Sequence, residues 1–83
     1  MPVRILLEAF RQIESLPPVI HRRVLDVLQR LENWPAVSGA KPLRGSLAGR
    51  YRMRTGDYRV QFYVEQETVV IERVGHRDGF YDR

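Results

Sequence analysis

Six basic side chains, Lys41, Arg44, Arg50, Arg52, Arg54 and Arg59, fall in one short stretch that holds a single acid, Asp57. Residues 1–40 carry five arginines against four acids, so the chain's net charge of +4 arises mainly from residues 41–83. A positive field gathered in this way suits a polyanionic partner. Within the stretch, Arg50, Arg52 and Arg54 alternate with Tyr51 and Met53. On a strand that alternation puts three guanidinium groups on one face and two apolar side chains on the other. A guanidinium fork matches phosphate oxygens bidentately and holds its proton too tightly to give it up, so these arginines suit clamping of charge rather than proton transfer. Proton transfer needs another side chain, and His76 is the one in this region whose type titrates near neutrality. By themselves the arginines also match the solvated face of an exposed hairpin.

Other chemistries lack the residues they need. There is no cysteine, hence no disulfide framework and no thiolate zinc site. The chain has no glycine-rich phosphate loop, no histidine pair at metal-ligand spacing and no Ser/His/Asp set, so neither a cofactor nor a metal is expected. No stretch approaches the ~20 apolar residues of a membrane span, and the N-terminus lacks a basic segment followed by a long apolar run. The expectation is a soluble, unexported chain in the cytoplasm. With 83 residues, 43% of them hydrophobic, residues 1–83 make one domain with one modest core.

The elements that would position the arginines emerge from periodicity. Val3 and Ile5 could share one face of a short strand over residues 2–6. Leu6, Phe10, Ile13 and Leu16 or Pro17 fall at the spacing of one helical face, and Pro17 with Pro18 ends that helix while opening the next. From Val19 to Trp34, Ile20, Val24, Val27, Leu28, Leu31 and Trp34 recur every three or four positions, which predicts a second helix stopped by Pro35. Glycines, serines and a proline between Ala36 and Gly49 read as loop. Period two then takes over. The Arg50–Arg54 strand meets a turn at Thr55, Gly56 and Asp57, where glycine supplies a backbone angle other residues resist. A second strand would carry Tyr58, Val60, Phe62 and Val64 on one face and Arg59, Gln61 and Tyr63 on the other. After a turn near Gln66 and Glu67, the β-branched run Thr68–Val74 makes a third. Helices and then a meander imply an α+β fold with an antiparallel sheet and the helix pair on one face. Trp34, Tyr58 and Phe62 are expected in the core.

Four short motifs in order, Lys41 to Gly45, Gly49 to Arg54, Gly56 to Val60 and Val74 to Tyr81, together resemble the RelE/ParE superfamily of toxins from bacterial and archaeal toxin–antitoxin modules. The likeness spans the chain and is strongest in its C-terminal half. It implies a short N-terminal strand, a helix hairpin and an antiparallel β-meander, in the order β-α-α-β-β-β. It also implies one of two activities on the same fold. RelE-type members are ribosome-dependent endoribonucleases that cut mRNA, and ParE-type members inhibit DNA gyrase without being enzymes. A degenerate homologue that only binds RNA or its antitoxin is a third possibility.

Carried over position by position, the resemblance assigns the RelE-type active surface to Arg52, Arg54, Arg59, Arg77 and Tyr81. Cutting RNA with its own 2′-hydroxyl needs a base for that proton, cations for the pentavalent phosphate and an acid for the leaving oxygen; it needs no metal. The four arginines suit the phosphate. Tyr81 or His76 would handle protons, because better-known RelE-type members have lysines in the first hairpin strand where this chain has arginines. Lys41, Arg44 and Arg50 remain for general RNA attraction. The implied partners are mRNA on the ribosome, or alternatively gyrase, and a cognate antitoxin whose extended or helical segment shields the basic surface.

Overall fold

The computed structural model describes residues 1–80, with the backbone alone for Gly79 and Phe80. The chain begins with β1 (Val3–Ile5), turns into α1 (Leu7–Glu14) and, across Pro17, into α2 (Pro18–Leu31). Pro18 occupies the first turn of α2, where its missing N–H would have had no intrahelical partner anyway. A two-residue strand β2 (Lys41–Pro42) and a single 3-10 turn at Gly45–Leu47 lie in the stretch expected to be loop. The meander comes next as β3 (Arg50–Thr55), β4 (Tyr58–Glu65) and β5 (Thr68–His76), and β5 leads directly into a one-turn helix α3 (Arg77–Phe80). No helix among the described residues is long and apolar enough to cross a membrane.

The five strands form one sheet in the order β1-β5-β4-β3-β2. From β2 to β5 the pairing is antiparallel, but β1 runs parallel to β5, with Val3 opposite Val69 and Ile5 opposite Ile71. The sheet is therefore mixed, where a purely antiparallel one was expected. Alternation in Val3–Ile5 specifies which face each side chain takes but carries no information on strand direction. Beyond Ile71, β5 outruns β1, and the side-chain carbonyl of Gln12 on α1 takes over as acceptor for the Val74 amide at 2.7 Å. That contact ties the first helix to the last strand.

The core lies between the helices and one sheet face. Ala9 and Ile13 from α1 and Val24, Val27, Leu28 and Leu31 from α2 meet Met53, Val60, Phe62, Val69, Ile71 and Val74. Trp34 packs edge-on against Phe62 at 5.3 Å and Tyr51 at 4.8 Å, and Tyr51 stacks on Phe62 at 5.5 Å. Phe10, which shares the helical face of Ile13 by spacing, and Tyr58, expected in the core, are placed otherwise. Phe10 is 49% exposed, because the buried stripe of α1 runs through Ala9 and Ile13, and Phe10 sits on its flank. Tyr58 is half-buried at the far end of the sheet, edge-on to His76, and does not join the core cluster.

Register decides what the other face carries. Gly56, at φ 62°, closes the β3–β4 hairpin so that Thr55 pairs with Tyr58, and the rest of β3 then pairs with β4 residue for residue. Between β4 and β5 there is one irregularity. Gln61 pairs with Arg73 and Phe62 with Ile71, leaving Glu72 as an extra residue on β5. Strict alternation would send Arg73 to the core face with Val69 and Ile71; the bulge returns it to the open face.

Candidate nucleic-acid interface

Side chains paired across neighbouring strands share a face, so the register can be read as rows crossing the open side of the sheet. The central row is Lys41, Arg52, Gln61 and Arg73, one residue from each of β2 to β5. Two residues further along β3 lies a second row, Arg54, Arg59 and Gly75. Two residues in the other direction lies a third: Arg50, Tyr63, Val70 and, on β1, Arg4. Seven basic side chains among the described residues thus share the face turned away from the helices. Its geometry is rigid because it is built on paired strands rather than on a loop.

The arginines of this face are held in different ways. Arg50 points its Nε at Glu72 Oε1, 2.6 Å away, and its guanidinium carbon lies 5.4 Å from the centre of the Tyr63 ring. Glu72 Oε1 also accepts from Gln61 Nε2 at 3.2 Å. Gln61 is 4% exposed, and among the described residues its Oε1 has no hydrogen-bond partner; the Nε of the half-buried Arg52, paired across from it, is enclosed and equally unmatched there. Arg54 is exposed and has no ion pair or hydrogen bond among the described residues. Arg59 and Arg73 are half-buried. Lys41 is exposed at the sheet edge, and Arg44 is exposed just before the 3-10 turn, outside the rows.

Arg52, Arg54 and Arg59 are therefore brought together as expected. Arg77 starts α3 at the end of the sheet that carries the β3–β4 turn. Its amide donates to the Asp57 carbonyl at 2.8 Å, and its Nε lies 3.8 Å from Asp57 Oδ1 and 3.6 Å from Asp78 Oδ1. This arginine is shared between two carboxylates. His76 does not join the arginine face: it pairs with Tyr58, on the side of the sheet toward the helices, and its Nδ1 accepts from the Asp78 amide at 3.1 Å. Tyr81 lies outside the described residues. Among those described, no cluster of His, Cys, Asp or Glu could hold a metal ion.

Two members of the face are not apparent from the sequence alone: Glu72 as the carboxylate that orients Arg50 and Gln61, and Arg73 as the fourth residue of the central row. Gln61 takes the expected face, and its burial is the new observation. A signal for Arg73 exists. Period two places it on the core side with Ile71, a position a charged residue rarely occupies unpaired, so the Glu72–Arg73 pair marks a break in alternation.

Residues 3–79 match the profile of a family described as the ParE toxin of the type II toxin–antitoxin system parDE. The chain is 40% identical to Toxin RelG of Mycobacterium tuberculosis over 84 residues, which is 98% of this chain and 95% of that one. It is 27% identical to Toxin RelE3 of Methanocaldococcus jannaschii over 75 residues, 87% of this chain and 85% of the other. Among solved structures, a chain of the M. tuberculosis toxin–antitoxin complex RelBE2 superposes with a TM-score of 0.80 and 39% identity, covering 92% of this chain and 96% of that one. The isolated E. coli RelE toxin shares the fold, with a TM-score of 0.75 at 20% identity over 90% of this chain and 82% of its own.

Proposed function

This chain belongs to the RelE/ParE superfamily, the toxins of type II toxin–antitoxin modules, and on that premise we propose that it is a metal-independent endoribonuclease that cuts mRNA on the ribosome. The observation that carries the reading is the pair of rows in which Arg52, Arg54 and Arg59 converge on one face of a rigid sheet. The relatives with RelE-type names favour this branch over a gyrase inhibitor.

The reaction is attack of a ribose 2′-oxygen on the adjacent phosphorus, with departure of the 5′-oxygen of the next nucleotide. Negative charge accumulates on the phosphate oxygens as the new bond forms. Arg54, exposed and unpaired among the described residues, meets the phosphate without first leaving a carboxylate. Arg52 and Arg59 stand beside it in the register, preorganised by strand pairing, so little reorganisation opposes the transition state. Arg77 reaches the same end of the sheet, and a phosphate there competes with Asp57 and Asp78 for its guanidinium. For the 2′-hydroxyl proton we favour Tyr81 over His76, since His76 pairs with Tyr58 toward the helices and Tyr81 is the other candidate on chemistry alone.

A cognate antitoxin is the protein partner, as RelB is of RelE in the solved complexes. Its task on this chain is to cover the basic face. Translation with purified ribosomes tests the proposal: truncated message and lost full-length product support it. Intact message together with inhibited supercoiling by purified gyrase would assign the chain to the non-enzymatic branch.

A further inference from the structure

We propose that Arg50 and Tyr63 form a stacking seat for one nucleobase of the bound RNA, a single step along the sheet from Arg52; the inference rests on the ribonuclease reading above. Arg50 is poorly suited to the role its charge suggests. Its Nε is committed to Glu72 at 2.6 Å, so the carboxylate offsets its charge and leaves only the Nη groups to meet a phosphate. Arg52 and Arg54 have no acidic partner among the described residues and are the better phosphate ligands. What Arg50 offers instead is a fixed plane. Glu72 holds one edge of the guanidinium, and the Tyr63 ring lies 5.4 Å from its carbon on the facing strand. The side chain stays 37% exposed. Guanidinium faces are weakly hydrated and stack well on π-systems, as bases do on aromatic rings.

Position supports the same assignment. Arg50 stands two residues from Arg52 on β3, about 7 Å along the strand, so a strand clamped at Arg52 can lay a neighbouring base over it. Basic rows beside an aromatic platform are how single-stranded nucleic acids are held without reading their sequence by hydrogen bonds. At this corner Val70, paired with Tyr63 and on the same face, is fully buried although it lies outside the main core, so side chains pack over the sheet here rather than leaving it bare.

A set of short single-stranded RNAs, 2′-O-methylated throughout and each carrying one 2-aminopurine, tests this with the full chain. Wild type should quench the fluorescence strongly at one position of the strand. Arg50→Lys, which keeps the charge and loses the plane, and Tyr63→Leu should abolish that quench and weaken binding about tenfold. Tyr63→Phe should restore it. The salt slope of binding should not change in Tyr63→Leu, a separation that general unfolding would not produce. Equal quenching in wild type, Arg50→Lys and Tyr63→Leu would overturn the seat while leaving RNA binding intact. Binding by wild type without a quench at any one position would overturn the seat as well, whereas the ribonuclease reading stands or falls on the ribosome assay above.

Discussion

Glu72 Oε1 lies 2.6 Å from Arg50 Nε, so one of the three arginines of β3 meets a carboxylate while its neighbours Arg52 and Arg54 have no acidic partner among the described residues. Removing that carboxylate's charge should convert Arg50 into a phosphate ligand. For Glu72→Gln, the slope of log affinity against log salt for single-stranded RNA should steepen by about 0.7, the share of one further phosphate contact. Folding stability should fall by about 1 kcal/mol as a charge-assisted hydrogen bond becomes a neutral one. Titrations at a series of salt concentrations and a urea melt measure the two effects separately.

Arg54→Ala and Arg52→Ala should each flatten the same slope by about 0.7. Their stabilities should diverge. Arg54 is exposed and without partners among the described residues, so its loss should stay within about 0.5 kcal/mol. Arg52 is half-buried over Gln61, and truncation there removes stem packing as well as charge. Paired salt titrations and thermal melts of the two variants distinguish them.

The arginine face was legible in the sequence because Arg50 to Arg54 alternates without interruption and Gly56 marks the turn that sets the register of β4. The helix pair was legible for a similar reason: Val24, Val27, Leu28 and Leu31 keep helical spacing up to the end of α2. Three features were hidden, each by a tertiary effect. Val3–Ile5 is too short to declare its direction, and only pairing with β5 shows it to be parallel. Phe10 has the spacing of a buried residue, yet the small Ala9 is what lets α1 approach β5. Arg73, and with it the central row, is concealed by a bulge whose one trace in the sequence is the charged pair Glu72–Arg73 interrupting the alternation. The proton-transfer group is the least legible part. His76 stands next to Arg77 in the chain, but the last residues of β5 turn it toward Tyr58.

The β4–β5 turn is strained in a way that invites repair. Gln66 and Glu67 hold φ values of 52° and 59°, a left-handed pair that two-residue hairpins require and that side chains with a Cβ resist. Gln66→Asn combined with Glu67→Gly should stabilise the fold by about 1 kcal/mol. For a chain of this size that corresponds to a rise in Tm of roughly 4–8 °C by calorimetry. RNA affinity should not move, since the turn lies beyond the basic rows.

Phe62 is fully buried and touches both Trp34 and Tyr51. Phe62→Ala should cost about 3–5 kcal/mol, much of the stability of a domain this small. A urea titration monitored by Trp34 fluorescence should show the midpoint collapse. Because β4 carries Gln61 and Arg59 on its other face, RNA binding should be lost in step with folding.

The central claim is that the arginine face cleaves message rather than merely attracting it. Primer extension on mRNA translated in the presence of the protein is the direct measurement, comparing wild type with Arg54→Ala, Arg77→Ala and Tyr81→Phe. The account predicts cuts at defined positions within codons for wild type, lost or reduced at least about a hundredfold in each variant, while His76→Ala keeps them. Uncut message with wild type, or unchanged cutting in all three arginine and tyrosine variants, would contradict it.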